Sequence, residues 1–161
     1  MPYLCLLTSE IISMNMKKII LAILALALLL PLTSKANDDR PISPDKLPAA
    51  AKEFIQKTFP EIAIVYAEID KEFAKTQYEV RLNDGTKVVF NSKGEWNKVE
   101  CIRKAVPAFL VPETIANYVQ ETFPGNLIEK IDKERFGWSI ELSNDLELDF
   151  SPEGALLRMD D

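Results

Sequence analysis

Apolar and polar residues alternate along much of this chain. Tyr78, Val80 and Leu82 stand between Glu79, Arg81 and Asn83, and Val88 and Phe90 between Lys87 and Asn91. Trp138, Ile140 and Leu142 repeat the pattern, as do Leu146, Leu148 and Phe150 around Glu147 and Asp149. A period of two predicts strands with one buried face. Ile62–Asp70 is rich in β-branched residues and predicts another strand. Glu95–Cys101 predicts a further strand, in which Trp96 and Val99 break strict alternation and so imply a bulge. Asn83-Asp84-Gly85 is a hairpin signal, because these residue types tolerate positive φ. Two stretches follow a different period. Leu47, Ala51, Phe54, Ile55 and Thr58 share one helical face, as do Ile115, Tyr118, Val119 and Thr122. Asp45 is placed to cap the first helix. Pro60 and Pro124-Gly125 end the two runs.

The pattern occurs twice. Leu47–Glu100 aligns with Val111–Asp160. Phe54-Ile55-Gln56-Lys57-Thr58-Phe59-Pro60 answers Tyr118-Val119-Gln120-Glu121-Thr122-Phe123-Pro124, and Ile69-Asp70-Lys71-Glu72 answers Ile131-Asp132-Lys133-Glu134. A repeat of this length predicts one supersecondary unit used twice. The expected fold class is therefore α+β, a tandem repeat of a helix packed on an antiparallel sheet of about four strands. The units span 37–101 and 111–161. The apolar stretch 102–110 between them is expected to pack into a rigid junction.

Residues 1–36 read as a signal peptide. Lys17-Lys18 is followed by an apolar run from Ile19 to Leu32, and Ser34-Lys35-Ala36 supplies small residues for cleavage. The run is short for a membrane span of about twenty residues. Met16 is the expected true start. The segment holds Lys17, Lys18, Lys35 and Glu10, so the remainder of a chain of net charge −6 carries −8. The expected address is periplasmic or secreted, with no stable membrane insertion after cleavage.

An acidic chain without a basic stripe argues against nucleic acid as a partner. The chain contains no histidine. That removes the commonest general base and metal ligand, and with them the Ser-His-Asp and Cys-His arrangements. No glycine-rich phosphate loop is present. Cys101 is the one thiol left after cleavage. It reads as a small buried hydrophobe, or alternatively as a link to another chain. Glu141 and Glu147 on adjoining strands form the nearest carboxylate pair. Acid–base work by such a pair needs a concave site that the pattern does not supply.

Leu47-Pro48, Phe54-Ile55, Phe59-Pro60, Tyr118-Val119 and Phe123-Pro124-Gly125 follow a signal-peptide-like start. In this the chain resembles the PepSY-like family of secreted bacterial proteins, related in fold to the β-lactamase inhibitor protein. The resemblance implies helices on antiparallel sheet, an address outside the cytoplasm and no established reaction. The inhibitor relative grips an enzyme with the outer faces of its sheets. The matching residues are helix ends and core positions, so no functional residue is carried over with them.

The outward sheet face is where a function is expected. Subtracting the inward positions leaves a mixed first face and an acidic second face. Tyr66, Glu79, Arg81, Glu141, Glu147 and Asp149 are the candidate partner-binding residues. Polar residues there also serve plain solubility. The chain is expected to be non-enzymatic, a protein-binding or inhibitor-like module whose partner is another envelope or secreted protein. The alternative is a calcium- or cation-responsive envelope protein, with Glu141, Glu147 and Asp149 as oxygen ligands. Neither a catalytic residue nor a resident cofactor is expected, calcium apart.

Overall fold

In a computed structural model, residues 40–72 and 75–160 are described. The signal peptide expected over 1–36 lies outside them. Nine strands run in the order β1 (Arg40–Pro41), β2 (Ile64–Glu72), β3 (Lys75–Leu82), β4 (Lys87–Asn91), β5 (Trp96–Glu100), β6 (Ile128–Glu134), β7 (Gly137–Leu142), β8 (Glu147–Phe150) and β9 (Leu156–Asp160). Helix α1 (Ala49–Thr58) lies between β1 and β2, and α2 (Glu113–Thr122) between β5 and β6. The strands form a single antiparallel sheet whose spatial order repeats their chain order.

This overturns the expected fold class. There is no tandem of two units, each a helix on its own four-stranded sheet. Strands β5 and β6 pair through Lys98↔Asp132, Val99↔Ile131 and Glu100↔Lys130, so one sheet runs from β1 to β9. Past the end of β5, the Cys101 N–H donates to the Glu129 carbonyl at 2.7 Å. The physical reason is that periodicity fixes which side of a strand is buried but not what its edges pair with. Two separate sheets would each have left backbone donors and acceptors open at β5 and β6. The described residues fall within one compact unit, Asn37–Asp161.

Both helices lie on the same side. The register aligns Ala67, Val80, Val88, Val99, Ile131, Ile140 and Leu148 in one row, all buried. Ala51 and Ile55 of α1, and Ile115 and Val119 of α2, close over it. The Phe54 ring meets Phe90 edge-on at 5.7 Å and Tyr118 meets Phe150 at 5.5 Å, which fixes each helix over its strands. In the junction, Val106 and Leu110 are buried while Phe109 is 73% exposed. The expected bulge occurs where Phe90 faces Trp96 while Val89 faces Lys98. Asp45 does not cap α1. It belongs to a short 3-10 turn, Pro44–Lys46, and Pro48 holds the capping position with no side-chain bond.

Candidate functional site

The face away from the helices is where alternation sends the polar residues. In register, Tyr66, Arg81, Lys87, Glu100, Lys130, Glu141, Glu147 and Asp160 form one row across β2–β9. A parallel row holds Glu68, Glu79, Val89, Lys98, Asp132, Ser139, Asp149 and Arg158. All six residues singled out from the sequence therefore lie on one face, in two groups. Tyr66, Glu79 and Arg81 sit on β2 and β3. Glu141, Glu147 and Asp149 sit on β7 and β8. Four strand steps, roughly 19 Å, separate β3 from β7.

The charges match across strands. Lys87 Nζ lies 2.9 Å from Glu100 Oε2, Lys98 Nζ 2.8 Å from Asp132 Oδ2, and Lys130 Nζ 2.9 Å from Glu141 Oε2. Within the first group, Arg81 Nε donates to Glu79 Oε1 at 2.8 Å and the Tyr66 hydroxyl donates to Glu68 Oε2 at 2.7 Å. Within the second, Ser139 Oγ donates to Glu147 Oε1 at 2.8 Å and Arg158 Nε to Asp149 Oδ2 at 2.8 Å.

The second face is acidic, as expected from the sequence, with Asp132, Glu141, Glu147, Asp149 and Asp160 against two cations that the sequence reading did not place there. Lys130 from β6 pairs with Glu141, and Arg158 from β9 with Asp149 and Asp160. These cations were missed because β6 and β9 were not placed on that face. Alternation in Lys130-Ile131-Asp132 and in Arg158-Met159-Asp160 was the available signal.

Burial pushes the Lys130 ammonium down, but Glu141, helped by Glu147 and Glu100, outweighs it and holds the group above the usual lysine range. The Arg158 guanidinium is raised by its hydrogen bond to Asp149 and by the charges of Asp149 and Asp160.

Two depressions open on this face. One, of about 310 Å³, has Val89 in its lining among Glu68, Glu79, Lys87, Lys98 and Asp132. The other, of about 420 Å³, lies at the Gly137 end of β7 and joins Ser139, Glu147, Asp149 and Arg158 to Phe136 and Leu157. Phe136 is 73% exposed and Leu157 65%. The sequence reading overlooked both apolar residues, because a hairpin tip and a bulge carry no periodicity. Trp138 and Tyr78 lie on the helix side, partly buried, as their alternation predicts, and the bulge brings Trp96 to the same side.

Glu141 and Glu147 are direct cross-strand partners, with Asp149 two residues along the same face. Among the described residues, no group of three or more His, Cys, Asp or Glu side chains is placed to hold a metal ion. Cys101 is buried, out of reach of another chain, with the Thr86 hydroxyl 3.9 Å from its sulfur. Burial pushes its thiol up. No helix among the described residues is long and apolar enough to cross a membrane.

A family profile described as "Putative beta-lactamase-inhibitor-like, PepSY-like" matches residues 76–158. Three solved structures are similar. A Bacteroides vulgatus "putative periplasmic protein of unknown function" is 38% identical, with a TM-score of 0.73, covering 76% of this chain and 99% of its own. A second B. vulgatus protein, a "putative periplasmic protein from DUF2874 family", is 32% identical with a TM-score of 0.73, covering 78% and 99%. A Bacteroides thetaiotaomicron "putative calcium-regulated periplasmic protein" is 32% identical with a TM-score of 0.73, covering 77% and 98%. No curated protein matches the chain.

Proposed function

The chain belongs to the PepSY-like, β-lactamase-inhibitor-like family, and from that premise we propose that it is a periplasmic, non-catalytic protein that binds another protein through the open face of its sheet. The supporting observation is the face itself. It carries no helix among the described residues and presents two charged rows from β2 to β9, interrupted by Val89 and rimmed by Phe136 and Leu157. Apolar anchors surrounded by ordered polar groups are the usual anatomy of a protein-binding surface. The charged rows orient the partner and select against like-charged competitors. The periplasmic address draws on the similar Bacteroides proteins and on the signal-peptide-like start.

The test is a crosslinking capture from envelope extract, with Glu141→Gln/Glu147→Gln/Asp149→Asn beside the unaltered protein. Neutral isosteres are used because lysines at these sites would repel Lys130 and Arg158. A control, Glu53→Gln/Lys57→Gln, alters an exposed pair on α1 on the far side. A partner held by the unaltered protein and the control, but lost with the triple variant, supports the reading. Equal capture by all three rules out this face.

A second reading, a cation-responsive envelope protein, draws on one feature, the direct opposition of Glu141 and Glu147, and requires the cation to displace Lys130 from Glu141. The relative described as calcium-regulated adds interest to it. A clear rise of Tm with millimolar Ca²⁺ is its expected result, and a flat titration removes it.

A further inference from the structure

The two ends of the sheet differ. At the first, β1 is two residues long, contains Pro41 and covers Glu68 and Ile69. Proline and shortness are the usual protections of a sheet edge. The helix-side row ends there in Ala67, which is buried. At the other end the same row passes from buried Leu148 to Met159, which is 44% exposed. The adjacent row passes from buried Phe150 to exposed Leu156. Strand β9 is five residues long, has no proline and pairs only with β8 among the described residues. Its outer edge therefore presents free backbone donors and acceptors beside an uncovered apolar strip, the standard template for strand addition.

The geometry points to a second copy of this chain as the strand that adds there. β9 would pair antiparallel with its own counterpart about a two-fold axis normal to the sheet at Met159. The charges select this register. Residues opposite each other in an antiparallel pair share a face. With Met159 opposite Met159, Arg158 of each copy falls opposite Asp160 of the other, twice over. Both are on the open face, with side chains 61% and 55% exposed, and within each copy Arg158 Nη1 lies 2.7 Å from Asp160 Oδ2, so the two copies' pairs would meet as alternating charges across the axis. Shifting the axis to Arg158 would set arginine against arginine. The pairing leaves both open faces on one side and joins the two exposed Met159 side chains on the other. An isologous contact of this kind closes at two copies. It does not depend on the partner-binding reading, since that face stays free.

Light scattering and sedimentation of the purified protein over a concentration series test it. The mass is expected to double as concentration rises through the micromolar range. Met159→Lys sets two ammonium groups face to face at the axis and is expected to stay monomeric, with unchanged circular dichroism and Tm. Asp160→Arg, opposite Arg158, is expected to do the same. Oxidising Met159→Cys in the chain from residue 37, whose other thiol, Cys101, is buried, is expected to give a disulfide-linked dimer, because directly opposed Cα atoms are about 4.5–5.5 Å apart, within disulfide reach. Leu157→Cys is expected to give none, being separated from its counterpart by more than roughly 10 Å at strand rise. A protein monomeric at every concentration overturns the proposal. So does a dimer that survives Met159→Lys, or crosslinking at residue 157 equal to that at 159.

Discussion

Glu141 faces Glu147 directly across the β7–β8 ladder, yet each carboxylate is held by a different neighbour, Glu141 by Lys130 Nζ at 2.9 Å and Glu147 by Ser139 Oγ at 2.8 Å. Like charges directly opposite each other on a sheet are destabilising. The lysine and the serine make the pair tolerable.

Lys130→Met is therefore expected to cost about 1 kcal/mol in urea denaturation, the lost ion pair together with the unrelieved repulsion. Adding Glu147→Gln should return part of that loss. Strictly additive effects would show that the two carboxylates do not sense each other. The pH dependence has a sign. A raised lysine pKa stabilises the fold below the ordinary value near 10.4, and this contribution disappears as pH rises through the higher folded value. The unaltered protein should lose this contribution in strong alkali, and Lys130→Met should have none to lose.

The β3–β4 turn supplies an acid-side counterpart. Burial pushes the Asp84 carboxyl up, but the Lys104 ion pair, the Thr86 N–H and the Thr86 hydroxyl together outweigh it and hold it below the usual range. The Thr86 N–H donates to Asp84 Oδ1 at 2.9 Å. A lowered carboxyl pKa contributes stability above the unfolded value near 3.9, and that stability is lost as pH falls through the lower folded value. Asp84→Asn should cost about 1 kcal/mol at neutral pH and flatten the acid limb of stability against pH. An unchanged slope down to strong acid would count against this assignment.

Gly137 opens β7 with φ +147, and a methyl group there would overlap the Phe150 carbonyl oxygen on the neighbouring strand. Backbone in a sheet ladder has little room to yield. Gly137→Ala should destabilise by about 3 kcal/mol, strain and overlap combined. Gly125, at φ +90 after α2, has open space around it. Gly125→Ala should cost only about 1 kcal/mol, for the left-handed backbone alone. Equal losses in thermal melts would mean that the β7–β8 spacing relaxes.

The strands and helices were legible because periodicity is local. Val80, Val88, Ile140 and Leu148 announce their buried side by their spacing, and all are fully buried. The pairing of β5 with β6 was not legible, since Val99 and Ile131 lie far apart in sequence and nothing in either strand names the other. That single missing register turned one sheet into two in the reading. It also hid the cross-strand neighbours Lys98 and Asp132, and Glu100 and Lys130, on the open face. Asp145 shows a milder gap. It takes φ +66 in a turn without glycine, where the first hairpin uses Gly85. The six proposed contact residues were recovered on one face because alternation assigns faces even when it cannot assign neighbours.

A sheet whose spatial order repeats its chain order also has a kinetic side. Every strand finds its partner in the strand just before or after it, and most of these partners are joined by a short hairpin. Loop-closure entropy is then small at each hairpin and larger twice, where β2 returns across 42–63 to meet β1 and where β6 returns across 101–127 to meet β5. The sheet can zip as two runs of hairpins, with docking at Val99 and Ile131 as the longest-range step.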